Sequence, residues 1–460
     1  MVLQIPGVKF DIDIIKKYDI PTPRYTSYPP ATELNAAFTA SEFEDAIACS
    51  NQRKTPLSLY FHIPFCQSAC YFCGCNVVIS NNKNIAKNYL EYLEREIKRT
   101  AYLIDKNRQA VQMHWGGGTP NYLSLGQVEN LWNNITRHFR FEPQAEISLE
   151  INPRYVDKEY IFFLKEIGFN RISFGIQDFN PQVQAAINRV HPEKNLFEVM
   201  DWIREAGFQS VNVDLIYGLP YQTYQSFHQT IKKTIELDPD RIAVFNFAYV
   251  PWVKSIQKKI AKDALPAPEE KLEILKMTIE ELTSNKYLFI GMDHFAKPHD
   301  ELAIAQRNYT LKRNFQGYTT WAQAELFGFG ATSVSMLEDA YAQNHKQLRD
   351  YYQAINEDIL PIGKGIKLNA DDILRRDVIM RLMSHAKLDK QEIQDKYHIC
   401  FDEYFAQELT ALQLLESDGL VSLSKNEIGI TEIGRLLVRN IAVNFDAHRL
   451  TQEQKFSRAI

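Results

Sequence analysis

Four of the six cysteines in this 460-residue chain fall within ten residues: Cys66, Cys70, Cys73 and Cys75. The first three have C-x3-C-x2-C spacing, and they follow a stretch, 57–62, that is rich in β-forming residues. A tight thiol group in a reducing compartment points to metal or redox chemistry rather than to a disulfide framework. Thiolate sulfur is soft and suits iron–sulfur clusters, zinc or Cu(I). A cubane cluster is ordinarily held by four cysteines, so three closely spaced ones leave one iron open for reaction. Two plainer readings stand beside that one. The spacing also marks one face of a helix, so the three cysteines can be core, although Pro64 and Gly74 bracket the segment. A structural zinc held by all four thiols also fits. Cys49 and Cys400 stand alone and read as ordinary buried thiols.

Other residues suited to chemistry sit at the ends of β-rich runs. Trp115-Gly116-Gly117-Gly118-Thr119-Pro120 closes the second run. Its glycines let a ligand come close to bare N–H and C=O groups, though a tight turn would use them equally well. Glu150 ends the third run, before Asn152-Pro153-Arg154, and Gln177 and Asp178 follow the fourth. Asp214 lies inside the fifth, an apolar strand where a carboxylate needs a partner or a ligand. A salt bridge to a neighbouring strand is the alternative use of Asp214.

The elements that must carry these residues alternate. β-like runs cover 57–62, 111–115, 146–151, 171–176, 210–217, 241–249 and 288–294. Helical periodicity covers 86–104, 124–138, 157–167, 181–206, 223–236 and 269–284. Alternation of this kind predicts βαβ units around a parallel sheet, either open or rolled into a full or partial barrel. In both architectures chemistry sits at the carboxyl ends of the strands. Residues 1–40, with Pro21, Pro23, Pro29 and Pro30, predict an irregular arm. The stretch 360–365 looks like a boundary, and beyond it helices, a hairpin at 419–430 and a helix from about Glu432 suggest a winged-helix arrangement.

Length predicts two or three domains. Hydrophobic residues at 45% and charged residues at 24% exclude global disorder. No run of about 18 apolar residues suggests a membrane span. The N-terminus lacks a basic region followed by an apolar stretch, so no secretory signal is visible and a cytoplasmic location is expected. A net charge of −5 argues against a nucleic-acid coat.

Together the cysteine triad and the glycine loop resemble the radical S-adenosylmethionine enzymes. The resemblance is closer to one family, the oxygen-independent coproporphyrinogen III oxidases. It rests on Pro23-Arg24-Tyr25-Thr26-Ser27-Tyr28-Pro29, Tyr60-Phe61-His62-Ile63-Pro64-Phe65 and Cys73-Gly74-Cys75-Asn76. It extends through Gln177-Asp178-Phe179-Asn180, 214–220, 291–296 and 313–320 to Phe456-Ser457-Arg458. The fold it implies is α/β: a partial (β/α)6 barrel over 41–360, an N-terminal arm at 1–40 lying over the barrel mouth, and a mostly helical C-terminal domain at 361–460.

The resemblance also implies roles. Cys66, Cys70 and Cys73 would ligate a [4Fe–4S] cluster and, with Tyr60, form the catalytic set; Cys75 would lie close by without ligating. Two S-adenosylmethionine molecules would bind, one against Tyr60, Phe72, Gly117, Glu150 and Val334. The second would meet Gly118, Thr119, Gln177, Arg189, Asp214 and Ala248. The implied reaction splits the sulfonium into methionine and a 5′-deoxyadenosyl radical, which removes hydrogen from a propionate β-carbon. Loss of CO2 and an electron at two propionates turns coproporphyrinogen III into protoporphyrinogen IX, a step of haem biosynthesis. A reductant and an electron acceptor are required and neither is identified. Arg24, Arg307 and Arg313 are candidates to hold the substrate carboxylates, and His294 is a candidate near the substrate. A monomer is expected, with no nucleic-acid partner. Two rivals remain: a haem chaperone of the same superfamily, and a non-catalytic zinc or iron–sulfur structural protein.

Overall fold

The computed structural model describes residues 7–321 and 323–449, so the Phe456-Ser457-Arg458 motif lies outside the described residues. The chain forms two compact units, one of Leu34–Lys271 with Gln323–Lys367, the other of Met1–Glu33, Leu272–Ala322 and Leu368–Ile460.

The first unit is a parallel sheet with helical crossovers. Its strands are β1 (Leu57–Ile63), β2 (Gln109–Gly117), β3 (Arg140–Ile151), β4 (Arg171–Gln177), β5 (Ser210–Tyr217) and β6 (Arg241–Asn246). They are neighbours in that order and all parallel. Helix α1 (Ala40–Arg53) leads in, and α2 (Asn84–Leu103), α3 (Leu125–His138), α4 (Lys158–Ile167), α5 (Glu193–Glu205) and α6 (Tyr224–Leu237) cross between strands. Several helices start on a side-chain cap that satisfies a free N–H: Ser124 and Thr223 in capping boxes, Asp157 by accepting from Tyr160. The six strands and the helices between them are those expected from periodicity, except that 181–206 is two helices, Pro181–Ala186 and α5, broken before Pro192.

Two expectations are refined. The stretch 360–365 lies just before the break between the compact units, which falls at 367/368 after β10 (Ile362–Lys367), a strand of the sheet. That strand follows β7 (Glu325–Phe329), β8 (Val334–Met336) and β9 (Ala340–Asn344), which sequence patterning missed because they are short. Strand β7 pairs parallel with the free side of β1, and β8, β9 and β10 continue antiparallel. A buried carboxylate helps to hold β7: Glu325 accepts from Arg108 at 2.7 Å and Arg53 at 2.9 Å. The run at 288–294 is extended, as expected, but turns back on itself. It is an antiparallel hairpin, Leu288–Gly291 with His294–Ala296, in the second unit.

Alternation in the strands separates two faces. Leu59, Phe61 and Ile63, with Met113, Trp115, Leu149, Phe174 and Val213, are fully buried. The intervening positions are polar: Tyr60 and His62, Gln112 and His114, Ser148 and Glu150, Ser173 and Gln177, Asn212 and Asp214. A parallel strand covered on both faces normally reads as a continuous apolar run, so a polar inner face is a departure that a site requires.

The second unit has its own core, in which Tyr25 and Tyr28 of the N-terminal segment pack with Val378, Leu382, Phe401, Leu412, Ile428 and Phe445. Tyr25 donates to Asp446 at 2.8 Å. A helix, Ile12–Tyr18, forms in the segment expected to be irregular. Residues 272–322 group here because their hydrogen bonds run to the C-terminal part: Tyr318 to the Met383 carbonyl at 3.2 Å, His385 to the Leu311 carbonyl at 2.8 Å, Arg435 to the Phe289 carbonyl at 2.8 Å. The compact units therefore divide the chain differently from 1–40, 41–360 and 361–460. The C-terminal part contains helix Ala370–His385, then a three-stranded sheet in the order Lys387–Asp389, Glu427–Ile430, Val421–Leu423. Cys49 and Cys400, expected to be buried, are exposed. Cys49 lies off the buried face of α1 formed by Phe43, Ala46, Ile47 and Ser50, and Cys400 precedes a four-residue helix. Among the described residues no helix is long and apolar enough to cross a membrane.

One buried charge generates a test of the first unit. Glu96, on the apolar face of α2, accepts from Tyr351 Oη at 2.6 Å, Asn344 Nδ2 at 2.6 Å and the Gly330 N–H at 2.8 Å. Burial pushes its carboxyl up to about 7 from an ordinary 4.5 in spite of these three donors. The native state therefore keeps this proton longer than the unfolded chain, and stability falls as pH rises from about 4.5 to about 7. Glu96→Gln is expected to remove that part of the pH dependence, seen as a smaller loss of Tm between the two ends of the window. Glu96→Ala strands three buried donors and is expected to lower stability by about 3 kcal/mol or more in denaturant unfolding.

Candidate active site

A cavity of about 590 Å³ opens at the carboxyl ends of β1 to β6. Cys66, Cys70 and Cys73 form one part of its wall, with Cys75 beside them. The loop that carries them is tied down at several points. Tyr71 and Phe72 pack against Val183, Ile187, Ile216, Leu219, Phe247 and Ile260. The Tyr71 N–H donates to the Ile187 carbonyl at 3.0 Å, and Asn188 Nδ2 to the Ala69 carbonyl at 2.7 Å. Buried Gln257 donates to the carbonyls of Phe72 at 3.3 Å and Ala248 at 3.2 Å, clamping the loop to the segment after β6.

The sulfurs stand in a field suited to negative charge. Arg189 Nη1 lies 3.5 Å and Arg154 Nη2 3.8 Å from Cys70 Sγ, and Thr119 Oγ1 lies 3.3 Å from Cys66 Sγ. The Cys75 thiol and its N–H, the latter at 3.4 Å, donate to Cys73 Sγ. With Lys254 and Arg189 they bring Cys73 down to about 6 against the upward push of burial. Cys66, with less to offset burial, is pushed up to about 11. A group that binds all three as thiolates has to overcome that cost at Cys66, and the cations beside the loop favour it.

Polar residues on the inner strand faces form the rest of the wall. The three strand ends are linked in a row: the Tyr60 ring stacks on His114 at 6.1 Å, and His114 Nε2 lies 3.3 Å from Glu150 Oε1. Burial alone would raise Glu150, but hydrogen bonds from His114 and the Gly117 N–H hold it below its ordinary range. Burial, then repulsion from Glu150, pushes Asp214 up to about 6. Its hydrogen-bond partner is Asn212 Nδ2 at 2.8 Å, and no ion pair to Asp214 forms among the described residues, so the salt-bridge alternative does not hold. His62 is kept neutral chiefly by burial. Its Nε2 lies 3.2 Å from the Asn76 carbonyl, which can only accept, so Nδ1 accepts from Tyr60 Oη at 3.1 Å. Gln177 takes a left-handed φ of 71° at the end of β4.

Buried polar atoms without partners mark where a ligand belongs. Gln177 Oε1 and Arg189 Nε are buried and have no hydrogen-bond partner among the described residues. Arg189 Nη2 donates to the Gly175 carbonyl at 2.7 Å, which aims the guanidinium along the cavity wall. No three Cys, His, Asp or Glu side chains among the described residues gather as donors to a single ion. A cluster spreads its ligands over separate irons, so three soft thiols on one wall fit that group better than one tetrahedral zinc. The unpaired polar atoms on the neighbouring strands fit a charged organic ligand beside it.

Of the residues named from sequence, Cys66, Cys70, Cys73, Phe72, Gly117, Gly118, Thr119, Glu150, Gln177, Arg189 and Asp214 line this cavity. Tyr60, Ala248 and Val334 do not, although Tyr60 reaches it through the His114–Glu150 row and Ala248 through Gln257. Arg24, Arg307, Arg313 and His294 belong to the second unit. There Arg24 pairs with Asp293, and Arg307 donates to the Pro298 carbonyl at 2.9 Å. Arg313 is buried over the Tyr318 ring with Nε and Nη1 unpaired. His294 meets the same tyrosine edge-on at 5.4 Å. Sequence reasoning missed His114, Arg154, Asn212, Lys254 and Gln257. The period-two pattern of β2 and β5 held a signal for His114 and Asn212; the others come from loops with no such pattern.

Known proteins share these features. Residues 60–234 match the family profile described as Radical SAM superfamily, and residues 368–437 the one described as HemN C-terminal domain. A protein of Synechocystis sp. named oxygen-independent coproporphyrinogen III oxidase is 57% identical, covering 100% of both chains. One of the same name from Escherichia coli is 45% identical, again over 100% of both. A solved structure described as coproporphyrinogen III oxidase from Escherichia coli, a radical SAM enzyme, superposes with a TM-score of 0.92 at 45% identity. It covers 96% of this chain and 100% of its own.

The glycine turn generates a paired test. A Cβ on Gly118 would stand 2.8 Å from the Pro64 carbonyl carbon and the Phe65 oxygen, whereas one on Gly126 would meet nothing within 4 Å. Gly118→Ala is expected to displace the start of the cysteine loop and lower iron content after anaerobic reconstitution by at least about half, because backbone cannot swing aside as a side chain can. Gly126→Ala, in helix α3, is expected to leave iron content unchanged and to gain about 0.5–1 kcal/mol of stability.

Proposed function

Because this chain belongs to the oxygen-independent coproporphyrinogen III oxidases of the radical SAM superfamily, we propose that the cavity at the strand ends is where it oxidises its substrate. The enzyme uses a [4Fe–4S] cluster and S-adenosylmethionine, as its superfamily does. The substrate is coproporphyrinogen III, and the reaction proposed is oxidative decarboxylation of two propionates to vinyl groups, giving protoporphyrinogen IX. The observation that carries this reading is the three-thiol wall facing unpaired Gln177 Oε1 and Arg189 Nε across one cavity.

Cys66, Cys70 and Cys73 would hold the cluster. When bound, the cluster and S-adenosylmethionine supply one-electron cleavage of a sulfonium and abstraction of a hydrogen atom. The chain's own residues bind and orient. Arg154 and Arg189 offset negative charge at Cys70. Glu150, held ionised, can take an ammonium or ribose hydroxyls, and Arg189 can take a carboxylate. Phe72, Val77, Ile151, Ile216 and Phe245 make apolar wall that limits water. Two S-adenosylmethionine molecules are part of the proposal: one against Tyr60, Phe72, Gly117, Glu150 and Val334, the other against Gly118, Thr119, Gln177, Arg189, Asp214 and Ala248. For the substrate carboxylates we favour Arg313 over Arg24 and Arg307, because two of its buried N–H groups have no acceptor among the described residues. A monomeric, cytoplasmic enzyme completes the proposal.

Anaerobic turnover with product identity read by mass spectrometry tests the reaction. Protoporphyrinogen IX and methionine are expected; haem binding without turnover would favour a chaperone instead. Cys66→Ser, Cys70→Ser and Cys73→Ser are each expected to abolish cluster assembly and activity, while Cys75→Ser keeps a spectroscopically recognisable cluster. Arg313→Gln is expected to raise KM for the tetrapyrrole about tenfold with unchanged cluster content, the loss of one charged hydrogen-bond pair. An unchanged KM would remove Arg313 from the substrate's partners.

A further inference from the structure

The outer side of the cysteine loop has a charge pattern of which the cavity uses only Lys254. Neither 62–83, which contains the loop, nor 250–262, which covers it, has a single Asp or Glu, in a chain whose net charge is −5. The covering segment instead carries Lys254, Lys258, Lys259 and Lys262. It touches the loop directly. Lys254 Nζ donates to the Cys75 carbonyl at 3.2 Å, Gln257 to the Phe72 carbonyl at 3.3 Å, and Lys259 Nζ stands 5.1 Å from the centre of the Tyr71 ring. On the other flank Asn76 Nδ2 donates to the carbonyl of exposed Lys346 at 2.9 Å. In this basic field Trp252 and Val253 are each 67% exposed, and Gly74 and Cys75 face solvent.

We propose that this surface, Trp252 to Lys262 with the Gly74–Cys75 side of the loop, is the docking site of an acidic one-electron carrier protein. The inference rests on the function proposed above, which requires an electron from outside the chain. Lysines rimming an exposed aromatic suit an acidic partner: the charges steer the encounter, and Trp252 supplies apolar contact at its centre. The carrier gives up one electron and leaves as its one-electron-oxidised form. The group held by Cys66, Cys70 and Cys73 gains that electron, and no bond or proton moves in the transfer. The covering segment and the cysteine loop, which touch each other directly, lie between the docked carrier and that group. The tetracarboxylate substrate is a poorer occupant, because Lys258, Lys259 and Lys262 are not among the cavity-lining residues. A lipid surface is poorer too, since nothing about a membrane calls for contact with this loop.

The test compares two electron sources on the holoenzyme under anaerobic conditions: dithionite, and an acidic flavodoxin kept reduced by its own reductase. The variant is Lys258→Glu/Lys259→Glu/Lys262→Glu, with Trp252→Ala as a second. The control is Lys98→Glu/Lys106→Glu, towards the amino ends of the strands. In the charge-reversed variant KM for the flavodoxin is expected to rise at least about tenfold, and in the parent to rise with ionic strength. Cluster content, dithionite-driven turnover and KM for coproporphyrinogen III should match the parent, and the control should match it throughout. An unchanged flavodoxin KM overturns the proposal. So does a raised KM for the tetrapyrrole under dithionite, which would assign the lysines to substrate. Binding to vesicles with anionic headgroups that the variant loses, alongside normal flavodoxin kinetics, overturns it in favour of a membrane. Absence of turnover in the parent with both reductants would instead count against the function proposed above.

Discussion

Where the glycine turn after β2 crosses the start of the cysteine loop, there is no room for one extra carbon. The Gly118 N–H donates to the Ile63 carbonyl at 2.8 Å, and the missing Cβ would overlap the Pro64 and Phe65 backbone. Gly117, at φ 111°, leaves its neighbouring space to the His62 ring. These contacts set where the cysteine loop departs from β1. The three sulfurs, the His62–Tyr60 hydrogen bond and the Thr119 contact with Cys66 all take their positions from that crossing. A shift there would move the sulfurs relative to the strand ends, which carry Glu150, Gln177 and Asp214.

The second requirement is electrostatic. Three thiolates at one wall concentrate negative charge where water is scarce, and two carboxylates, Glu150 and Asp214, lie on the same cavity. Arg154 and Arg189 answer the sulfurs, and His114 answers Glu150. Asp214 has only an amide, and it is the carboxylate whose pKa is raised. The compensation is therefore uneven, strongest at the sulfurs and weakest deep on β5, which leaves Asp214 ready for a cationic or hydroxyl-bearing partner.

How much of this was legible in the sequence follows from the range of each interaction. The six parallel strands and the helices that cross between them are local patterns, so periodicity exposed them. The cysteine triad, the glycine turn and the polar residues at strand ends were legible because they interrupt apolar runs. Strands β7 to β10 are short and depend on pairing with β1 or with each other, so no local signal announced them. The run at 288–294 has ordinary β composition, and nothing local announced the turn at 292–293 that folds it into a hairpin. Arg154, Lys254 and Gln257 act from loops, where position is set by the chain on either side. Cys49 illustrates the converse. Its residue type suggested burial, but its helix buries positions 43, 46, 47 and 50, and position 49 turns outward.

The same loop thus presents two unlike sides. Inward it meets carboxylates, amides and guanidiniums whose hydrogen bonds fix a polar ligand in one orientation. Outward it meets lysines that fix nothing sharply, since exposed charges act at a distance and are screened by salt. That division suits a site where one event needs atomic placement and the other needs only proximity. Abstraction of a chosen hydrogen tolerates little displacement, whereas an electron can arrive from a partner that docks briefly in several similar poses. A tightly bound carrier would also be a poor solution, because it has to leave and be reduced again elsewhere. Weak, salt-sensitive contacts over the loop and its covering segment satisfy both demands.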